Sequence, residues 1–406
     1  MKKMTKNALC LLAAFAMLLA VLAGCGGDNA DDADKVSPVP DPTPAQTQNV
    51  EPEGDDKKDD DQKQEEEVPP VADLEPDADG NVTITDMAGR TVTFPANPVV
   101  WNSSPTAEGW LCAIIPDQIV GWASGFNEEQ LSYWPESVQD LETLGGNFGN
   151  SQANVEGILA YSPDVIINTY DCSEGARQST VASADAMSEQ YDIPVVVISR
   201  DIADTAEVAG LVGLWFGQAQ RGAEVQAYLQ TVLDKIDETV AAVPEDAIPT
   251  YYYAEGTDGL STESSDSIHS EVYIYLGLKA AVGDDVQLSN MGGMEAVSLE
   301  QVLQWDPEYI FVWNPGAYQS IIADDAWSDI TAIKNGNVYL NPTLPQNWVD
   351  RSPNSLRILG CLYYAAICYP DYCTYDYEEE IANFFEYMYG VELTDAQLSA
   401  LFVSMA

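Results

Sequence analysis

The chain is poor in positive charge and almost without histidine. Sixteen lysines and arginines stand against 66 aspartates and glutamates, with a single histidine, His269, in 406 residues. Such a deficit excludes a nucleic-acid partner, because a phosphate backbone needs a basic face. One histidine also argues against capture of a bare transition-metal ion such as zinc through several imidazoles. Seven cysteines are present, yet no C-x-x-C spacing occurs, so a structural metal cluster is disfavoured. Cys10 and Cys25 fall at the front of the chain, leaving Cys112, Cys172, Cys361, Cys368 and Cys373. An odd remainder in an exported protein means at least one free thiol or no disulfides at all. Cys361 and Cys368 would lie about 10 Å apart along one helix, so the only local pair to consider is Cys368 with Cys373, on either side of Pro370.

The front of the chain is read before any fold. Lys2, Lys3 and Lys6 precede an apolar segment from Ala8 to Ala23, the order of a secretory signal, and it is too short and too early for a stable membrane span. It ends in Leu22-Ala-Gly-Cys25, which resembles a bacterial lipoprotein lipobox. That resemblance implies residues 1–24 as a signal peptide, lipid on the Cys25 sulfur, and an extracytoplasmic protein anchored to the cell membrane. Residues 25–80 then form a tether of Asp, Glu, Pro, Gln and Ala, too poor in bulky apolar side chains to offset the entropy of ordering. Between Asp28 and Asp79 there are 19 acids against Lys35, Lys57, Lys58 and Lys63, and their repulsion extends the segment. The rest still carries 47 acids against nine bases, so an arginine that points into a cleft is a candidate for function.

One stretch occurs twice. Asn154-Val-Glu-Gly-Ile-Leu-Ala-Tyr-Ser-Pro-Asp-Val-Ile-Ile167 reappears 144 residues later as Ser298-Leu-Glu-Gln-Val-Leu-Gln-Trp-Asp-Pro-Glu-Tyr-Ile-Phe311. Each copy predicts a helix, a turn at the proline and a buried strand. The spacing is too wide for a solenoid and points to two similar lobes. Around the copies, strands alternate with helices: a hairpin over 82–94, strands at Val99–Trp101, Ile119–Trp122, Val195–Ile198, Tyr251–Tyr253 and Asn337–Leu340, and a late helix from Leu356 to Tyr369. Asp204 with Glu207 three residues on reads as a capping box. A helix from about Ala219 to Ala242 spans roughly 36 Å, enough to join one lobe to the other. The expected fold is α/β, two Rossmann-like lobes with parallel sheets joined by one long helix: 81–202, linking helices over 203–243, and 244–406. Loops at the carboxyl ends of such strands bind ligands.

Taken in order, the lipobox, the tether, Thr85-Asp-Met-Ala-Gly-Arg-Thr-Val92, the repeated Glu-to-Pro unit, the linking helix and Asn347-Trp-Val-Asp-Arg-Ser-Pro-Asn-Ser-Leu-Arg357 resemble the substrate-binding proteins of ABC importers of the iron-complex and vitamin B12 class. The resemblance covers roughly residues 82–400. It implies a monomer whose rigid lobes enclose a ligand, with a glutamate on each lobe docking into arginine pockets of a membrane permease. Those glutamates match Glu156 and Glu300. A carboxylate in the first turn of a helix is stabilised by the dipole and, if exposed, is free for a bidentate arginine pair.

Cleft-facing loops offer Trp122, Phe148, Tyr170, Trp313 and Trp348, with Arg200 and Arg351 as charged candidates. Each aromatic has core packing as its alternative role, and Arg351 has pairing with Asp350 or Asp371. Aromatics beside arginines suit a large anionic chelate. Three ligands fit: a ferric siderophore, haem or a corrinoid, and molybdate or tungstate, with the iron chelate favoured by frequency within the family. Neither a catalytic residue nor a resident cofactor or metal site is expected. A surface-anchored hydrolase is the reading from another class; one histidine does not support a Ser/His/Asp set, and the two repeated glutamates are expected to stand too far apart for glycoside chemistry.

Overall fold

The computed structural model describes residues 68–146, 153–264, 267–282, 294–351 and 353–402. Cys25, the signal segment, the tether up to residue 67 and Phe148 lie outside the described residues. Two strands, β1 (Asn81–Thr85) and β2 (Thr91–Pro95), form the antiparallel hairpin that the alternating pattern predicts. Its turn is built by Asp86, whose Oδ1 accepts the Ala88 and Arg90 backbone N–H groups at 3.1 and 2.8 Å. Three parallel strands follow, β3 (Val100–Asn102), β4 (Val165–Tyr170) and β5 (Val195–Ser199), paired in that order. All of β5 and all but the last residue of β4 are buried, as expected of a parallel sheet covered on both faces.

The second lobe repeats the plan. Here β6 (Thr250–Ala254) is followed by a small antiparallel ribbon of β7 (Ser261–Thr262), by β8 (Lys279–Ala280), and by β9 (Glu295–Ala296), the partner of β7. Then come β10 (Tyr309–Val312) and β11 (Val338–Leu340). The parallel sheet runs β11-β10-β6-β8.

The duplicated stretch has the same backbone in both lobes. Its helices are Val155–Ala160, capped by the Asn154 side chain, and Leu299–Trp305, opened by a capping box between Ser298 and Gln301. Each helix stops at a residue with positive φ just before the proline, Ser162 at 50° and Asp306 at 46°. A following proline disfavours the right-handed helical region, so the chain escapes through the left-handed one. The acid after the proline pins the turn to the first strand of its own lobe. Asp164 accepts the Val99 N–H at 2.8 Å, and Glu308 accepts the Thr250 N–H at 2.9 Å.

The helix Ala219–Ala242 links the lobes, burying Val225, Leu229, Val232, Leu233 and Ile236 along one face. It crosses the preceding helix, Thr205–Trp215, at a glycine pair: a Cβ placed on Gly213 would meet Gly222 Cα at 2.4 Å and Gln218 O at 2.7 Å. Gly217, with φ of 74°, makes the turn between the two helices. Asp73 Oδ1 accepts the Ala219 N–H at 2.8 Å, and Val71 N–H donates to Gln220 at 2.9 Å. Chain expected to belong to the tether therefore lies against the start of the linking helix.

One hydrophobic cluster runs through both lobes, from Trp110 and Trp134 to Phe311, Tyr364 and Phe385. The C-terminal helices Tyr377–Tyr389 and Asp395–Leu401 complete it, with Tyr389 edge-on to Trp134 at 4.9 Å and the Tyr133 hydroxyl donating to Gln397 O at 2.9 Å.

Two local expectations are corrected, the first at Ile119–Trp122, which makes only isolated bridges, Ile119 with Val100 and Trp122 with Thr143, in place of a strand. Asp204 is not a capping side chain: it sits in a 3-10 turn, Ile202–Asp204, that runs straight into the helix, and it makes no capping bond. The N–H at the start of that turn, on Ile202, is taken instead by Glu271 Oε1 at 2.8 Å. Cys368 and Cys373 are unpaired, as are Cys112, Cys172 and Cys361.

The glycine crossing gives a direct check. Gly213→Ala or Gly222→Ala forces backbone against backbone, which no rotamer change relieves, and should cost about 1–3 kcal/mol. A guanidinium denaturation midpoint equal to that of the wild type would refute the close crossing.

Candidate functional site

The carboxyl ends of the parallel strands of both lobes lead into one cleft. A cavity of about 230 Å3 lies there, lined by Pro105, Ser124, Gly125, Phe126 and Gln130 from the first lobe and by Thr343, Pro345, Gln346, Asn347 and Arg351 from the second. Two larger hollows, of about 400 and 410 Å3, sit away from the strand ends, one under residues 72–76 and one beside Pro370 and Tyr375. Neither is where an α/β sheet presents its binding loops.

The first-lobe wall is held by a buried acid. Glu108 opens the helix Glu108–Ile114 and is 1% exposed. Its Oε1 accepts the Ala123 and Ser124 N–H groups at 3.0 and 3.1 Å, which sets the loop 123–126. Its Oε2 accepts from Gln346 Nε2, and Gln130 Nε2 donates to Pro345 O at 3.0 Å, so polar bonds cross between the lobes at the cavity itself. Burial pushes the Glu108 carboxyl from 4.5 up to about 8, against the pull of the Ser124, Ala123 and Gln346 bonds.

The second-lobe wall centres on Arg351, which has a φ of 51°. A residue of this size in the left-handed region costs on the order of 1–3 kcal/mol, and it persists where surrounding contacts over-determine it. Those contacts are acidic. The guanidinium meets Glu255 through Nη2, Glu263 Oε1 at 3.2 Å through the same nitrogen, and Asp350 Oδ2 at 3.2 Å through Nε, while its Cζ stands 5.2 Å over the Trp313 ring. His269 Nδ1 approaches Asp350 from the far side at 3.4 Å.

The residues singled out from sequence are thus divided. Arg351 lines the cavity, and Trp313 is the half-buried face beneath its guanidinium. Pairing of Arg351 with Asp350 is present as well; the two roles coexist. Tyr170 ends β4 and Arg200 directly follows β5, Arg200 N–H donating to Tyr170 O at 3.2 Å, and both are partly buried and outside the cavity lining. Trp122 and Trp348 are corrected to core residues. Trp122 is 2% exposed and packs on Phe126 and Trp134; Trp348 is fully buried between Tyr363 and Phe402, with Nε1 donating to Leu344 O at 2.8 Å. In each case the large ring fills the space behind a cleft loop while a smaller neighbour, Phe126 or Gln346, reaches the cavity.

Sequence reasoning missed Glu108, Gln130, Gln346, Glu255 and Glu263. Glu108 had a signal, a lone acid inside an otherwise apolar helical run. Glu255 and Glu263 had none, because only the fold brings them to Arg351. Glu156 and Glu300 are both exposed in the first turns of their matching helices. Beside Glu156 the apolar side chains of Val155, Leu159 and Tyr161 are exposed too. Among the described residues no group of three His, Cys, Asp or Glu side chains is arranged to hold a metal ion.

Residues 115–343 match a family described as periplasmic binding protein. The molybdate-binding protein MolA of Haemophilus influenzae is 24% identical over 337 residues, 75% of this chain and 90% of that one. An uncharacterized ABC transporter substrate-binding lipoprotein of Bacillus subtilis is 24% identical over 299 residues, 71% of this chain and 86% of its own length. Among solved structures, an ABC transporter solute binding protein from Sulfurospirillum deleyianum superposes with a TM-score of 0.70 at 30% identity, covering 79% of this chain and 99% of that one.

The raised Glu108 carboxyl makes a signed prediction. The unfolded chain loses this proton near 4.5 and the folded one near 8, so the stability is full below the lower value and is lost as pH rises toward the upper. Glu108→Gln, which cannot titrate, should reduce the fall in unfolding free energy between pH 5 and 8 by an amount on the order of a few kcal/mol. An unchanged pH profile for the variant would show that Glu108 is ionised throughout.

Proposed function

Since the chain belongs to the periplasmic binding protein family, and is therefore a solute-binding protein of an ABC transporter rather than an enzyme, we propose that it captures a compact metal oxyanion of the molybdate class and delivers it to a membrane permease. The observation that carries this reading is Arg351 at the wall of a small polar cavity between the lobes. At about 230 Å3 the cavity falls below the range of roughly 300–1,000 Å3 usual for pockets of drug-sized ligands. Its lining offers amides, hydroxyls and one guanidinium, the donors an oxyanion needs. The name of the molybdate-binding relative points the same way.

The ferric siderophore expected from sequence draws on stacking aromatics, and two of those, Trp122 and Trp348, are sealed in the core. Haem or a corrinoid would ask for still more room. Both remain as arms of the test below.

Delivery would use the two repeated acids. Glu156 and Glu300 are exposed at matching positions, each on a helix packed into a separate hydrophobic cluster of its own lobe through Ile158 or Val302, while a third cluster spans both lobes, so that each glutamate would meet its own half of a permease. The exposed Val155, Leu159 and Tyr161 give the first-lobe helix an apolar rim suited to a protein partner. A lipid on Cys25 would keep the protein at the outer face of the membrane, within reach of that partner.

In a thermal-shift screen of the protein without its signal segment, molybdate or tungstate at a hundred times its dissociation constant should stabilise by about 2.7 kcal/mol. A shift with ferric siderophore, haemin or cobalamin and none with either oxyanion overturns the ligand assignment. For docking, Glu156→Lys with Glu300→Lys should abolish uptake into cells while leaving ligand affinity intact; lost affinity with preserved uptake contradicts the assignment of these acids.

A further inference from the structure

Three carboxylates converge on the one guanidinium that lines the cavity. The side chains of Glu255, Glu263 and Asp350 are 0%, 1% and 0% exposed, whereas that of Arg351 is 25% exposed. Nη2 of Arg351 donates to both Glu255 and Glu263, Nε lies 3.2 Å from Asp350 Oδ2 as an ion-pair contact without a hydrogen bond, and the ring of Trp313 lies against the guanidinium. Three buried negative charges against one positive are not sustained at low dielectric without a proton on one of them. The carboxyl best placed to hold it is Glu255. It directly follows β6 at full burial and shares Nη2 with Glu263, and its Oε2, like both oxygens of Asp350, has no hydrogen-bond partner.

The groups around Glu255 are Arg351 and Asp350 from the loop after β11, Glu263 from the segment after β7, and Tyr252 and Tyr253 from its own strand. His269 lies beyond Asp350, and Asp258 lies beyond Tyr252. Burial pushes the Glu255 carboxyl up to about 8; Arg351 opposes that shift, and Glu263 and Asp350 add to it.

We propose that Glu255 is the charge-selecting residue of the cleft: its proton decides whether Arg351 is available to an oxyanion, so that oxyanion capture and ionisation of Glu255 exclude one another. This rests on the oxyanion reading of the ligand. A neutral Glu255 gives up its claim on Nη2 and has an O–H to donate. The ionised carboxylate holds Nη2 and repels a second anion at the same wall. A fully deprotonated oxyanion brings no proton of its own, so the protein has to supply it. Glu263 and Asp350 act as positioning residues that hold the guanidinium against Trp313.

The test is calorimetric titration of the wild-type protein with sodium molybdate at pH 6.5, 8 and 9, in two buffers of different ionisation enthalpy. Molybdate affinity should fall by close to tenfold per pH unit above about 8, with nearly one proton taken up per molybdate bound at pH 9. Glu255→Gln, permanently neutral, should lose both the slope and the proton uptake. Molybdate binding with equal affinity at all three pH values and no proton uptake overturns this inference and leaves the oxyanion reading standing. No molybdate binding at any pH overturns both. The wild-type proton count decides the matter by itself should the variant fail to fold.

Discussion

Arg357 lies at the junction of the two lobes with 1% of its surface exposed. One end of its guanidinium pairs with Glu271 and the other donates to the carbonyl of Arg200, which closes the last strand of the first-lobe sheet. The second oxygen of Glu271 accepts the Ile202 N–H at 2.8 Å. Arg357 is sealed inside protein while Glu271 keeps 22% of its side chain exposed; a buried guanidinium is tolerated only when its hydrogen-bonding positions are filled, and the Arg200 carbonyl of the opposite lobe helps to fill them here. Any large opening of the cleft would strand a buried guanidinium. With the continuous aromatic core, this tie fixes the distance across the cavity, so the site is shaped before ligand arrives.

The same rigidity gives meaning to the duplicated unit. Within it the two acids have separate jobs. Asp164 and Glu308, just after the prolines, accept backbone N–H groups at the start of their own sheets and hold the turn. Glu156 and Glu300, in the first helical turn, have water-facing carboxylates. Glu308 is exposed, as Glu300 is, so the two kinds of acid are told apart by the backbone bonds that Asp164 and Glu308 make and not by burial. On a body that flexed at the cleft, two such acids would not keep a spacing that a transporter could read.

Charge is distributed against the expectation that an anion site must be basic. The chain carries a formal net charge of −50, and even the cleft surrounds its arginine with carboxylates. Burial resolves the conflict. Acids on the surface are screened by water and salt, whereas burial pushes the carboxyls of Glu108 and Glu255 up to about 8. An acid count therefore says little about the field a ligand meets in the cavity.

Local patterns decided what the sequence could say. Buried β-branched runs mark parallel strands, a proline seven residues after Glu156 and Glu300 ends a helix, and a 24-residue periodic segment makes the linking helix; each rests on interactions within a few residues of chain. The two lobes and the linking helix were legible for that reason, and the class of solute-binding protein only through the resemblance that the order of the motifs carries. Arg351 was legible as a cleft arginine, because a cation is conspicuous among so many acids. Which rings reach the cavity was not, since Trp122 and Trp348 differ from Phe126 only in which side of a loop the packed core leaves open. The Glu255, Glu263 and Asp350 socket joins positions up to 96 residues apart, and the Gln346 bond to Glu108 spans 238. Contacts of that range leave no period or motif in the chain, so they exist only once both sheets have formed and brought their carboxyl ends to one cleft.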